Sequence, residues 1–163
     1  MSSSEVSCGY KLTDMVLHCV SSDRQSVSLA RQLFNKANAV MFRHFFPTDE
    51  SKLALADIID TVDAVCDLYE CRQVFENKQS KDALGVHLES QTKVMMKLFD
   101  LMNNLKFDGR KMQFQSALKI SIKSALDLHK YLASSHNVPW LILSLITQDH
   151  LESLFGVIKV VEI

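Results

Sequence analysis

Only four glycines and two prolines interrupt the 163 residues of this chain. These are the residues that most readily end a helix or turn the backbone, so their scarcity means few turns and long elements. Between the breakers, apolar residues recur at steps of three and four, the spacing that gathers them on one face of a helix. From Arg24 to Phe46 the set is Val27, Ala30, Leu33, Phe34, Ala37, Val40 and Met41, with Asp23 placed to cap its start. Pro47, Thr48 and Asp49 break that run. A second helix starts near Ser51, capped by Thr48 or Asp49, and carries Leu55, Ile58, Ile59, Val62, Val65, Cys66 and Tyr69. A third runs from Ala83 to Leu105 and a fourth from Gln113 to Ala133. The fold class expected is all-α, a helical bundle.

Polar stretches separate these helices. Asn77 to Asp82 reads as a short hinge loop, Asp108-Gly109 as a turn and Ser134 to Pro139 as a loop. Leu141 to Ile146 is a short apolar run that fits either one short strand or a buried segment. A last helix is expected from Thr147, as N-cap, to Val160. Residues 1–9 read as a frayed or disordered N-terminus. There is no internal repeat.

Hydrophobic residues make up 47% and charged residues 23%, a globular balance that argues against disorder. A net charge of -1 argues against direct DNA binding, which calls for a basic face. No apolar run approaches the ~20 residues that span a bilayer, so no membrane association is expected. The start, Met1 to Ser7, lacks the basic and apolar regions of a secretory signal. Cys8, Cys19, Cys66 and Cys71 form no Cys-x-x-Cys pair, so they read as reduced thiols of an intracellular protein and not as a metal site. The phosphate loop, the dinucleotide glycine motif and the serine nucleophile elbow are all missing. The histidines, among them His129 and His136, read as surface or core residues.

One string carries more information: Gln148-Asp149-His150-Leu151-Glu152-Ser153-Leu154-Phe155-Gly156. On a helix, Asp149 and Glu152 share one face, while Leu151, Leu154 and Phe155 form an apolar stripe. Asp149 in the first turn suits the unpaired backbone N–H groups there. Read alone, the pair is a cap and a solvated carboxylate.

That string closely resembles the segment of P-element-type transposases and their THAP-linked relatives that opens the helix carrying the last acid of an RNase H-like triad. Further segments match in order: Lys11-Leu12-Thr13 with Val27-x-Leu29-Ala30-x-Gln32, then Ala56-Asp57-Ile58-Ile59 through Asp67, then Phe114-Gln115 with Ile120-Ser121. The resemblance implies that residues 10–146 are a partial GTP-binding insertion domain and 147–163 a remnant of the RNase H-like catalytic region. It implies that Glu152 holds the catalytic position, and that Asp67 and Asp149 contact the guanine of GTP, bound with Mg²⁺. The two aspartates should then approach each other. Departures from the pattern matter. Cys66 replaces an aromatic that would stack on the base, and Glu70 replaces an asparagine, adding negative charge beside a nucleotide. The family's other two catalytic acids and its upstream nucleotide-contacting segment would precede Lys11. The expectation is a transposon-derived chain that is not an enzyme, with catalytic Glu152 inactive and GTP binding weak or lost. The alternative is a helical interaction module without nucleotide binding, pairing with a longer transposase relative.

Overall fold

The computed structural model describes residues 13–18, 26–106 and 109–147. Within them run α1 (Asp14–Leu17), α2 (Val27–Leu33), α3 (Lys36–Phe45), α4 (Glu50–Tyr69), α5 (Leu88–Asn104) and α6 (Gln113–His136), with short 3₁₀ turns at Gln79–Lys81 and Leu143–Ile146. No strand occurs among the described residues. The all-α expectation holds. The chain divides into two compact units, residues 1–63 and 64–163, so the division falls within α4 and not at the 77–82 loop.

In the first unit, the single helix expected over 24–46 is two. Asn35 ends one and starts the next, its Oδ1 accepting from Ala37 N at 3.1 Å. Asn38, fully buried, donates through Nδ2 to the carbonyls of Gln32 and Leu33 at 2.8 and 2.9 Å, which closes the end of α2. Apolar residues keep their helical spacing across the break, so periodicity does not reveal it; the two asparagines redirect the backbone. Ser26 caps α2 through Leu29 N; Asp23 lies outside the described residues. The core here is small: Ala39, Ala56 and Ile59, with Phe34 and Phe42 packed against it. Asp49 does cap α4, its Oδ1 accepting from Ser51 N and Lys52 N.

The second unit buries Val65, Leu68, Cys71, Leu84, Met95, Leu98, Met102, Ile122, Ala125, Leu141 and Leu143. Here α5 packs along α6. The third helix begins at Leu88, five residues later than periodicity suggests, because Leu84 is in extended backbone. It exchanges both backbone hydrogen bonds with Leu141, at 3.0 and 2.8 Å. The uncertain 141–146 run is therefore one antiparallel bridge followed by a 3₁₀ turn, and not a strand. Gly85 follows with φ of +112°; a Cβ there would overlap the Pro139 carbonyl oxygen and sit 2.5 Å from His129 Nε2. His129 is a core histidine, bonded to that same carbonyl at 3.0 Å. Helix α6 continues three residues past the expected end, to His136, and stops at Asn137 in the left-handed conformation, φ 54°.

Two buried glutamines tie the second unit's backbone together. Gln91 Oε1 accepts from Gly85 N and His87 N, and its Nε2 donates to the carbonyls of Asp82 and Ala83. Gln115 Oε1 accepts from Met112 N, and its Nε2 donates to the carbonyls of Met102 and Leu105, joining the start of α6 to the end of α5. Both saturate backbone groups that a helix end leaves open. The expected helix after Thr147 lies outside the described residues.

Candidate functional site

The end of α4 presents two acids three residues apart on one side, Asp67 in its last turn and Glu70 one residue past it. Below it the chain folds back on itself. Glu76 Oε1 accepts from Arg72 N, Asp82 Oδ1 accepts from Glu76 N at 2.7 Å, and Ala83 N donates to the Val74 carbonyl. The fold-back carries Lys78, Ser80 and Lys81 to the two acids. Lys78 Nζ and Ser80 Oγ both reach Asp67 Oδ2, the lysine at 2.5 Å and the hydroxyl at 2.7 Å. Lys81 Nζ lies 2.7 Å from Glu70 Oε2 and 4.0 Å from Asp67 Oδ1. Two acids at i and i+3 thus meet two lysines at i and i+3, and the charges of these four side chains sum to zero.

Burial sharpens this. The Asp67 side chain is 1% exposed, so it is sequestered from solvent and held by charge-assisted hydrogen bonds from its own chain. Glu70 stays partly exposed. Next to it, burial raises the Tyr69 phenol above its ordinary range, partly offset by a hydrogen bond with Ser121 Oγ at 3.0 Å. Burial likewise raises the Cys71 thiol, which donates to the Gln73 carbonyl. A thiol held protonated is a poor nucleophile and metal ligand.

No protein-family model matches the chain. In sequence it is 23% identical, over 158 residues, to the Transposable element P transposase of Drosophila melanogaster, an alignment covering 94% of this chain and 21% of the transposase. In fold it is similar to the Drosophila P element transposase of a strand transfer complex, with a TM-score of 0.82 and 22% identity, covering 94% of this chain and 36% of that one. The chain is P-element-transposase-like. It spans about a fifth of the length of the transposase it matches.

Of the site residues expected from the transposase resemblance, Asp67 lies in the described part of this P-element-transposase-like chain; Asp149 and Glu152 lie outside it. The expected approach of Asp67 to Asp149 therefore falls outside the described residues as well. Glu70, expected to add negative charge beside a nucleotide, is paired with Lys81. Sequence reasoning took residues 77–82 for a polar hinge and missed Lys78, Ser80 and Lys81. A signal was present: the lysine spacing repeats the acid spacing of α4. Among the described residues no helix is long and apolar enough to cross a membrane.

Proposed function

We propose that this chain is a transposase-derived helical module in which guanine-nucleotide binding is weak or lost and strand transfer is absent. The observation that carries the reading is the engagement of Asp67. Guanine recognition by a carboxylate uses its acceptor oxygens for the N1–H and 2-amino donors of the base. Here Lys78 and Ser80 already donate to Asp67, and the group is sequestered. As arranged, the residues do not fit an added guanine edge; that edge would have to displace an internal ion pair of a buried carboxylate. Cys66 further offers no ring for the base to stack on.

The catalytic part of the reading rests on ligand count within these 163 residues: of the acids that the resemblance assigns to the reaction they carry Glu152, and one carboxylate by itself does not assemble the site. Placing two metals for phosphoryl transfer demands several carboxylates from separate elements, and Mg²⁺ binds a lone carboxylate poorly. Two measurements on the full chain test this. Calorimetric titration with Mg²⁺·GTP should show no binding tighter than about 1 mM, the ~4 kcal/mol level. Micromolar binding that disappears in Asp67→Ala would overturn the nucleotide part. Incubation with Mn²⁺, GTP and duplex DNA should leave the DNA intact; cleavage lost in Glu152→Ala would overturn the other.

A second reading, a helical interaction module, draws on large residues left exposed at the end of α6 and beyond it, Tyr131 and Trp140. Such side chains anchor protein interfaces. Trp140 is the single tryptophan, so its fluorescence reports directly on any partner, including a longer transposase relative.

A further inference from the structure

A cavity of about 470 Å³ lies within the second unit, lined by α4, α5 and the segment between them. Its size is at the small end of ligand pockets. Ala64 and Leu68 of α4 and Val94 of α5 supply apolar wall. Gln79, Ser80, His87 and Ser90 supply polar rim.

What this rim can still offer follows from which hydrogen-bonding atoms are already used. Ser80 Oγ spends its proton on Asp67, and Ser90 Oγ spends its proton on the His87 carbonyl at 3.0 Å. Each hydroxyl keeps lone pairs to accept with. His87 Nε2 lies 3.0 Å from Asp82 Oδ2, and Asp82 is buried. An ionised carboxylate accepts only, so with Asp82 as the nearer partner Nε2 carries the proton, Gln79 Nε2 at 3.3 Å from that nitrogen does not donate to it, and in the neutral ring Nδ1 becomes an acceptor. Nδ1 has no hydrogen-bond partner among the described residues. Gln91 also lines the cavity, but all four of its bonds go to backbone. Gln79 adds an amide that both donates and accepts; the other free rim groups, on Ser80, Ser90 and His87, accept hydrogen bonds above an apolar wall.

We propose that this cavity binds a small, free, planar heteroaromatic amine. Its ring would lie against Ala64, Leu68 and Val94, and its N–H groups would meet the acceptors of Ser80, Ser90 and His87. The site shares Ser80 with the Asp67 cluster but uses the lone pairs of that hydroxyl and not its proton, so loss of guanine-nucleotide binding neither supports nor removes it.

The test uses 2-aminobenzimidazole as probe and 2-methylbenzoxazole as its donor-free counterpart. Both are titrated into the full ¹⁵N-labelled chain while backbone amide signals are followed. The expected result is saturable shifts at Leu68, Ser90 and Val94 with a dissociation constant on the order of 1 mM or tighter, and at least about tenfold weaker binding of the benzoxazole, the loss expected for one or two hydrogen bonds of ordinary net worth. Ala64→Phe, which fills the wall, should abolish the shifts in a chain whose melting temperature is unchanged. No saturable shifts, equal affinity for the two probes, or unaltered binding in folded Ala64→Phe would each overturn the proposal. If that variant fails to fold, the comparison of the two probes on the unaltered chain decides it.

Discussion

The two units solve the same problem, fastening helices together, with different chemistry. The first unit has few buried apolar side chains and relies on charge. Arg31 reaches Asp63 at 3.0 Å, joining α2 to α4, and Arg43 is clamped between Asp57 and Asp60, joining α3 to α4. The two acid hydrogen bonds raise the Arg43 guanidinium further above its already high range. The second unit has a broad apolar core and ties backbone to backbone through neutral amides, Gln91 and Gln115, and through the close approach of Gly85 to His129 and Pro139. Neutral, buried hydrogen bonds are indifferent to salt and to moderate pH; exposed ion pairs are not. The ion pairs that join α2 and α3 to α4 should thus loosen under conditions that the Gln91 and Gln115 ties ignore, while the salt-sensitive charges of the second unit sit in its 78–82 segment.

The strongest way to break this contrast is at Gly85. Gly85→Ala should destabilise the second unit by about 3 kcal/mol or more, from backbone overlap and a strained positive φ together. Gly109→Ala is the control: φ is also positive, +75°, but a Cβ meets nothing there, so its cost should stay near 1 kcal/mol. Urea denaturation reads both; equal costs would show that the approach to Pro139 is not tight. Next is Gln115→Leu, which leaves the buried Met102 carbonyl, the part-buried Leu105 carbonyl and the Met112 N–H without this partner and should cost about 2 kcal/mol regardless of salt. A cost that fell in high salt would erase the distinction between the units.

The ion pairs come after. Asp63→Asn removes the charge beside Arg31. Asp63 is nearly buried and Arg31 about a fifth exposed, so the loss should be about 1–2 kcal/mol, below that of a fully buried pair. Arg43→Met should cost no more than about 1 kcal/mol in low salt and nothing measurable in high salt. The smallest effect concerns Asp49. Its carboxylate accepts from Ser51 Oγ, Lys52 N and Ser51 N, with Ser51 Oγ the leading cause, and these bonds hold its pKa below the ordinary value of 3.8. A depressed acid stabilises the fold above its unfolded pKa and loses that contribution as pH falls through the folded one. Fraying of the start of α4 should therefore begin only below about pH 4. A carboxyl titration of Asp49 by NMR at or above the ordinary midpoint would refute the cap.

Much of this was legible from spacing and turn chemistry. The bodies of α4, α5 and α6, and the capping role of Asp49, follow from periodicity and residue type. What was not legible has a common physical origin: side chains acting on distant backbone. Asn38 breaks a continuous apolar pattern by capturing carbonyls of α2. Gln91 and the bridge from Leu84 delay the start of α5 although Leu84 keeps the apolar pattern. Lys78 and Lys81 look like solvated loop charges until the fold-back brings them to Asp67 and Glu70. Asp67 was found only because a family motif points to it, and no periodicity argument separates it from Asp57, Asp60 or Asp63 on the same helix.

The bridge between Leu84 and Leu141 also says something about time. It closes a loop that contains both α5 and α6. In a disordered chain, two hydrogen bonds cannot offset the entropy of bringing such distant residues together. Once α5 and α6 have zipped along each other, that search is already over and the closure is nearly free. The bridge belongs after the rate-limiting step of folding. Lesions there, Gly85→Ala foremost, should leave the refolding rate almost unchanged and appear as faster unfolding. The closure acts as a lock on the finished fold, and it sets how long the second unit survives once made.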